Sequence, residues 1–263
     1  QHIAQNTQDE VLNFYGDAAF DYYRGHSLFA TCEYTKRERR ILNNILPRKG
    51  FYRKIKLGYE WNDFMENEIS EIKFEPLPFD HPLYIMYSSG TTGLPKSIVH
   101  SVGGTLIQHL KELKLHVDLT QDDNIFYFTT CGWMMWNWLV SSLAIGATVI
   151  LYDGNPFYPD ETTLLKVAEK LGITIFGTSA KYISALEMEN IFPKDISTFP
   201  DLRCILSTGS PLLEENYDYI YSKWKKDVQL CSISGGTDII SCFALGNPML
   251  PIKRGELQCR GLG

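Results

Sequence analysis

The sequence lacks the features of several protein classes. Its six cysteines are widely spaced and no pair has Cys-x-x-Cys spacing, which argues against a disulfide scaffold and against a zinc site. We therefore expect the cysteines to be reduced thiols, as in a cytosolic protein. An excess of positive charge is also missing, since 25 basic and 31 acidic residues give a net charge of −6, which argues against a nucleic-acid binder. Repeats and low-complexity tracts are absent, and 44% apolar residues predict a globular chain with a substantial core.

We expect the sequence to be a fragment of a longer protein, because neither end resembles a natural terminus. It begins at Gln1 rather than at methionine, with no charged-then-apolar signal segment. It stops at Gly263, within Gly-Glu-Leu-Gln-Cys-Arg-Gly-Leu-Gly, a stretch typical of the interior of a domain.

One long run, from Asn124 to Tyr152, lacks any charged residue and is long enough to cross a bilayer. Glycines and polar residues interrupt this run, and its β-branched residues cluster at the two ends. Parallel strands are covered on both faces, so a buried strand–helix–strand unit explains the continuous apolarity. We therefore predict a strand at 125–129, a helix at about 134–144 and a strand at 147–152 rather than a membrane span.

Short strand and helix patterns alternate along the rest of the chain. Further strands are predicted at 83–88, 173–177, 202–206 and 228–233, and further helices at 101–115, 160–171, 181–189 and 211–225. Asp160 is the expected cap of one helix and Gly172 its left-handed end, while Pro211 is expected in the first turn of another helix. In the helix at 101–115, the expected apolar stripe is Leu106, Leu110 and Leu113.

This alternation predicts an α/β fold with a doubly wound, mostly parallel sheet. Residues 1–75 form a weakly determined segment and residues 76–263 form the core domain. Nine basic residues lie between Lys36 and Lys56 in the first segment, and we interpret them as a solvated surface rather than as a phosphate or RNA patch. Because ligands bind beyond the carboxyl ends of parallel strands, function is sought in the loops that follow strands.

The first such loop is rich in glycine and hydroxyl groups, with the sequence Ser88-Ser89-Gly90-Thr91-Thr92-Gly93-Leu94-Pro95-Lys96. Glycines let successive backbone N–H groups converge on an anion, and a lysine adds a charge suited to phosphate. In the Walker pattern the lysine directly follows the second glycine, whereas here Leu94 and Pro95 intervene. The loop therefore predicts a phosphate site of another kind, against the alternative of a plain glycine-rich turn.

Two further loops follow strands. The first is Ser207-Thr208-Gly209-Ser210-Pro211-Leu212, and on its own it is an ordinary connection between a strand and a helix. The second is Ser232-Ile233-Ser234-Gly235-Gly236-Thr237-Asp238. In the latter, a hydroxyl beside a carboxylate could hold a phosphate oxygen and its magnesium ion, because Mg²⁺ takes one or two carboxylates plus phosphate oxygens. Alone, an ordinary turn explains it equally well.

Together and in this order, the three loops resemble those of the AMP-forming acyl-CoA synthetases of the adenylate-forming superfamily. The stretch from Tyr87 to Lys96 is similar to the phosphate loop of that family, 207–212 to its adenine loop, and 235–238 to its Thr-acid motif. Gly255-Glu256-Leu257-Gln258 resembles the strand that approaches its ribose-binding aspartate. The segments HSVGGTLIQHL, GWMMWNW and SISGGTDIISC are similar to members that activate acetoacetate. The likeness covers about Pro76 to Gly263.

The resemblance implies ATP-dependent formation of an acyl adenylate and pyrophosphate, followed by displacement of AMP by coenzyme A. It implies a cytosolic ligase that takes acetoacetate, a ketone body, into lipid and sterol synthesis, with ATP and Mg²⁺ bound by part of a large amino-terminal domain. The implied catalytic residues are Thr237 and Lys96, and Asp238 is the implied metal ligand. The implied nucleotide-binding residues are Ser88, Ser89, Gly90, Thr91, Thr92, Gly93, Lys96, Gly209, Ser210, Pro211, Ser234, Gly235, Gly236 and Thr237. The implied acyl pocket is formed by Trp133, Met134, Met135 and Gly235.

Two departures from the family pattern concern the third loop. Most members have glutamate where Asp238 stands, so the shorter side chain is expected to reach a metal only through water. Acetyl-specific members have tryptophan at the position of Gly235, and its absence is expected to make room for a longer acid. The segment of Trp133, Met134 and Trp138 has helical spacing, so a core role is an equal alternative to a pocket role.

The resemblance also places the ribose-binding aspartate and the carboxyl-terminal lid domain, with its lysine, beyond Gly263. We therefore expect this chain to bind nucleotide weakly and not to complete turnover alone. Three alternatives stay open: a ligase for another short acid, a non-catalytic adenylate-binding or regulatory module, and a Walker-type NTPase.

Overall fold

The computed structural model describes residues 74–88 and 96–262. The chain divides into two compact units, of which the first comprises 1–76 and 92–94 and the second comprises Leu77–Thr91 and Pro95–Gly263. All the helices and strands of the described residues belong to the second unit. The basic cluster and nearly all of the predicted segment 1–75 lie outside the described residues.

The described part begins with an antiparallel hairpin and a helix. Strand β1 (Pro82–Ser88) pairs with β2 (Lys96–Ser101), so the glycine-rich loop joins two strands of a hairpin rather than a strand and a helix. Helix α1 (Val102–Leu115) follows directly, because the hydroxyl of Ser101 accepts a hydrogen bond of 3.2 Å from the N–H of Gly104 and so caps the helix. Strand β2 was not predicted.

A five-stranded parallel sheet forms the centre of the unit, in the strand order β4-β3-β5-β6-β7. Its strands are β3 (Asn124–Tyr127), β4 (Thr148–Ile150), β5 (Ile175–Ser179), β6 (Cys204–Thr208) and β7 (Gln229–Ser232). The helices between them are α2 (Met134–Val140), α3 (Thr163–Lys170), α4 (Ala180–Met188) and α5 (Glu214–Tyr219). A 3₁₀ turn at Ser141–Ile145 extends α2, and a π-helical turn at Ile220–Trp224 extends α5.

The two faces of this sheet are both covered, which confirms the doubly wound α/β prediction. In β6, Ile205 packs in a core with α3, α4 and α5, whereas Leu206 packs in a second core with α1 and α2. The run from Asn124 to Tyr152 forms β3, α2, the 3₁₀ turn and β4, as expected. No helix among residues 74–88 and 96–262 has the length and apolarity that a bilayer crossing requires.

A second, antiparallel sheet was not predicted. It consists of β8 (Ser234–Gly236), β9 (Ser241–Leu245) and β10 (Cys259–Arg260), in the order β10-β9-β8. The register between β8 and β9 shifts between Ser234 and Gly235, which is the position of a bulge.

Two predicted helix starts were wrong. Helix α3 begins at Thr163 instead of Asp160, because the Asp160 carboxylate accepts the N–H of Thr162 at 2.9 Å and closes a turn before the helix. Helix α5 begins at Glu214, three residues after Pro211, because the side chain of Asn216 accepts the N–H of Leu213 at 3.3 Å. Gly172 does adopt the predicted left-handed conformation, with a φ of 55°.

The buried face of α1 is polar instead of apolar. Leu113 is fully buried as expected, but 40% of Leu106 is exposed. The other buried residues of this helix are Thr105, His109 and Glu112. The physical reason is the neighbour of this face, because α1 packs against the backbone of β9 and its flanking turns, which offers hydrogen-bonding groups.

Candidate active site

A cavity of about 330 Å³ opens at the carboxyl ends of β6 and β7. Three segments that the sequence singled out converge there: the start of the GWMMWNW segment, the loop 207–212 and the loop 232–238. They lie far apart along the chain. The lining residues are Trp133, Met134, Met135, Thr208, Gly209, Ser210, Pro211, Leu212, Ser232, Ile233, Ser234, Gly235, Gly236, Thr237, Cys242, Gly255 and Leu257.

The loop after β6 forms one wall of the cavity. Gly209 has a φ of 91°, a conformation that side chains other than glycine rarely adopt, and this turn brings Ser210 and Pro211 to the cavity. The hydroxyl of Thr208 donates a hydrogen bond of 2.8 Å to the carbonyl of Ile233. This bond ties the loop after β6 to the loop after β7.

The start of α2 forms the facing wall. Trp133 has extended backbone just before the helix, and its N–H donates to the carbonyl of Thr130 at 3.1 Å. Its ring packs edge-on against Tyr127, with 5.9 Å between the centroids. Met134 and Met135 also line the cavity. Trp138, in contrast, is wholly buried in the core, so the core alternative applies to that tryptophan.

The third wall is β8 with the turn that follows it. Ser234, Gly235, Gly236 and Thr237 all line the cavity, whereas Asp238 is exposed and does not line it. The carbonyl of Thr237 lies 2.8 Å from a ring nitrogen of His100, the residue that precedes the cap of α1.

Gly235 allows a close approach of two strands. A Cβ atom at this position would overlap the carbonyl oxygen of Ser241 and lie 2.8 Å from the Cα of Cys242. Any larger residue at 235 therefore requires β9 to move. A Cβ on Gly236 would have only ordinary contacts, the nearest at 3.6 Å. Glycine at 235 thus serves strand packing.

The predicted phosphate loop is described only at its two ends. Ser88 is the last residue of β1 and pairs directly with Lys96, the first residue of β2, which is exposed. The predicted residues from Ser89 to Gly93 lie outside the described residues. Neither Ser88 nor Lys96 contributes to the lining of the cavity.

One part of the wall was missed by the analysis of binding residues. Gly255 and Leu257 line the cavity from a segment that α5 anchors. The guanidinium of Arg254 binds the carboxylate of Asp218 through contacts of 2.8 to 3.0 Å, and the hydroxyl of Tyr217 donates to the carbonyl of Glu256 at 2.8 Å. The sequence signal that could have revealed this segment is Gly255 itself. This residue has a φ of 75°, a conformation that favours glycine. The expected strand here is a turn that precedes β10.

Among the residues that the structure describes, those lining the cavity carry no charged side chain. Aromatic and aliphatic groups face hydroxyls and backbone groups, an arrangement that suits a flat, partly apolar ligand with a few polar atoms. Burial raises the pKa of the Cys242 thiol, and the nearby carboxyl of Glu112 raises it further. This thiol therefore stays protonated at neutral pH and is a poor nucleophile.

A comparison with known families shows where the chain belongs. A sequence model of the family described as AMP-binding enzyme matches residues 32–254. The chain belongs to this family. The match begins well before Pro76, so the likeness extends further towards the amino terminus than the motifs indicated.

Individual relatives confirm the resemblance to acyl-CoA synthetases. An acetoacetyl-coenzyme A synthetase of Rhizobium meliloti (strain 1021) is 58% identical over 207 residues, which are 78% of this chain and 32% of that protein. A malonamoyl-CoA synthetase (vrtB) of Penicillium aethiopicum is 45% identical over 219 residues, which are 77% of this chain and 30% of that protein. The chain spans about a third of the length of these relatives.

A solved structure agrees with the fold. The structure of acetoacetyl-CoA synthetase from Streptomyces lividans matches with a TM-score of 0.73 and 44% sequence identity. The match covers 77% of this chain and 32% of that chain.

Proposed function

We propose that these residues bind ATP and acetoacetate in the cavity, and that the protein containing them joins acetoacetate to coenzyme A through an acyl adenylate. The observation that carries this proposal is the convergence of the three segments on one cavity at the carboxyl ends of β6 and β7. The 58% identity to an acetoacetyl-coenzyme A synthetase over the same part of the chain supports it.

Each wall of the cavity has a proposed role. Gly209, Ser210 and Pro211 face the adenine ring, and the hydroxyl of Thr237 donates to the α-phosphate. The described lining is uncharged, so the positive charge that phosphates require must come from elsewhere. Lys96 supplies it in this proposal, together with the backbone N–H groups of the loop 89–93, which bind the β- and γ-phosphates.

The residues beside Thr237 fit a magnesium ion that is held mainly by its nucleotide. Among the described residues there is no cluster of three acidic, histidine or cysteine side chains that could hold a metal ion by itself. The exposed carboxylate of Asp238 follows Thr237 directly, and Mg²⁺ accepts one carboxylate together with phosphate oxygens and water. The bound ion would neutralise charge on the transferring phosphorus. Asp238 would orient it.

The acyl group is proposed to lie against Trp133, Met134 and Met135, opposite Gly235. Acetoacetate is the leading acid. Malonamate is the second candidate because a relative is named for it, and both acids carry a carbonyl group at carbon 3. A cytosolic location and coenzyme A as the acceptor stay predictions that accompany this proposal.

Two measurements test the proposal. ATP binding to the 263-residue chain is measured for Thr237→Ala and for Thr148→Ala, which makes the same change at an exposed position of β4. We expect about ten- to hundredfold weaker binding for the first variant alone, the effect of losing one hydrogen bond to a charged group. Pyrophosphate exchange into ATP is then measured on the natural protein that contains these residues. Equal exchange with acetate and acetoacetate would contradict the acid assignment.

A further inference from the structure

Four side chains of β2, α1 and the residue after α1 form hydrogen bonds with the backbone of β9 and its flanking turns. We name this set the side-chain ladder. In chain order the pairs are His100 with the carbonyl of Thr237 at 2.8 Å, His109 with that of Ile240 at 2.6 Å, Glu112 with the N–H of Cys242 at 3.0 Å, and His116 with the carbonyl of Gly246 at 2.7 Å. The contacts advance in the same direction along both segments, so together they define a single register.

The two middle contacts of the side-chain ladder are buried, so their loss would be costly. His109 and Glu112 are 0% exposed, and a buried polar group without a partner is costly. Any slip of β9 past α1 would break both contacts at once. The ladder therefore fixes where the β8–β9 turn lies relative to α1.

The ring of His109 joins the turn to a third element. One nitrogen lies 2.8 Å from the hydroxyl of Ser141, and the other contacts the carbonyl of Ile240. Burial lowers the pKa of His109, which favours the neutral ring. In that state Nε2 donates to the Ile240 carbonyl and Nδ1 accepts from Ser141, so both nitrogens are satisfied.

The turn itself has few contacts of its own. The N–H of Ile240 donates to the carbonyl of Thr237 at 3.2 Å, and β8 contributes only three residues, two of them glycines. His100 contacts the same carbonyl from outside the turn. The orientation of the Thr237 peptide, and with it the direction of the Thr237 hydroxyl, therefore depends on side chains that do not line the cavity.

We propose that His100 and His109 are positioning residues that hold the Thr237 hydroxyl in place for a nucleotide phosphate. The role in nucleotide binding rests on the proposed function. His116 makes the same kind of bond at Gly246, nine residues after Thr237 and outside the cavity lining, so it supports the sheet without affecting the site.

The experiment compares alanine and glutamine variants of the 263-residue chain. Nucleotide affinity, with ATP as the probe, and thermal stability are measured for His100→Ala, His109→Ala and His116→Ala. We expect about fivefold weaker ATP binding for the first two variants and unchanged affinity for the third, with a lower melting temperature for the two buried positions. Glutamine can place its amide N–H where Nε2 lies, so His100→Gln is expected to restore affinity to within about twofold.

Wild-type affinity in a folded His100→Ala variant would overturn the proposal, and this half-buried position keeps the test available if the His109→Ala variant does not fold. A second measurement, the amide hydrogen exchange of residues 237–242 in the absence of nucleotide, tests the positioning role independently of the proposed function. It compares the wild-type chain with the His100→Ala variant. If the wild-type chain binds no ATP, the proposed function fails. The turn is then still shown to be held by His100 if its amides exchange faster in His100→Ala, and unchanged exchange overturns the positioning role.

Discussion

The two sheets that border the cavity are held in different ways. In the parallel sheet the strands present apolar side chains to both faces, as Ile205 and Leu206 do in β6. In the antiparallel sheet, β9 is fixed through its backbone and the hydroxyl of Ser241 by polar side chains of α1. Hydrophobic packing tolerates changes of shape that keep the volume, whereas a buried hydrogen bond depends on both partners. The antiparallel side of the cavity should therefore be the more sensitive to single atoms.

The largest expected effect comes from removing the carboxyl group at the centre of this polar contact. In the wild type, Glu112 accepts hydrogen bonds from the indole of Trp138, the hydroxyl of Ser241 and the N–H of Cys242. Glu112→Ala leaves these buried donors without an acceptor and is expected to lower the free energy of unfolding by about 3 to 4 kcal/mol in urea titrations. Glu112→Gln should lose less, because it keeps one acceptor oxygen.

The matched control for this prediction is Glu169→Ala, which makes the same change at an exposed position of α3. We expect the control to change stability by less than about 0.5 kcal/mol. Equal losses in the two variants would show that the network around Glu112 does not hold β9.

A comparable polar contact lies at the edge of the parallel sheet opposite the cavity. Asp123 precedes β3 and binds the guanidinium of Arg203 and the hydroxyl of Thr174. Burial would raise the pKa of Asp123, but these hydrogen bonds, with that from the backbone of Thr120, outweigh it and lower the pKa to about 2. The folded state therefore binds this proton less readily than the unfolded state does.

The sign of the pH effect follows from this lowered pKa. The stabilisation is complete above about pH 4 and is lost as the pH falls towards 2, with a total of about 2.5 kcal/mol. Urea titrations between pH 6 and 2.5 measure about two thirds of it, because the rest is lost only below pH 2.5. Asp123→Asn should remove most of this dependence, whereas Asp122→Asn, at the exposed neighbouring residue, should keep it.

A smaller effect is expected within the antiparallel sheet. Gly235→Ala forces β9 away from β8 and should destabilise the chain by about 1.5 kcal/mol, the cost of overpacking by one methyl group. Gly236→Ala adds the same methyl group where there is room. Thermal melts of the two variants compare them directly. A smaller loss for Gly235→Ala than for Gly236→Ala would contradict the close approach at 235.

The same contrast explains what the sequence could predict. Apolar strands such as Ile205-Leu206 stand out by composition, so the parallel sheet and its order of elements were predictable, as were the loops that reach the cavity. The sequence of strand β8, Ser-Gly-Gly, has no local preference for a strand. It forms a strand only through its pairing with β9, which the local sequence does not reveal. The buried polar residues of α1 were missed for a related reason, because only the apolar stripe of Leu106, Leu110 and Leu113 was expected on that helix. Periodicity reports apolar partners, whereas His109 and Glu112 bind backbone groups and polar side chains of distant segments, which leaves no pattern in the sequence.

The smallest expected effect concerns a hydroxyl group on the polar face of α1 that has no hydrogen-bond partner among the described residues. It is the buried hydroxyl of Thr105. Thr105→Val replaces it with a methyl group of the same shape and should raise stability by about 0.5 to 1 kcal/mol, because it removes a desolvated polar group. Thr174→Val makes the same change where the hydroxyl donates to Asp123 at 2.7 Å and should lower stability. Thermal melts that show a loss in both variants would mean that the Thr105 hydroxyl has a partner, such as a buried water, and that the polar face of α1 is satisfied throughout.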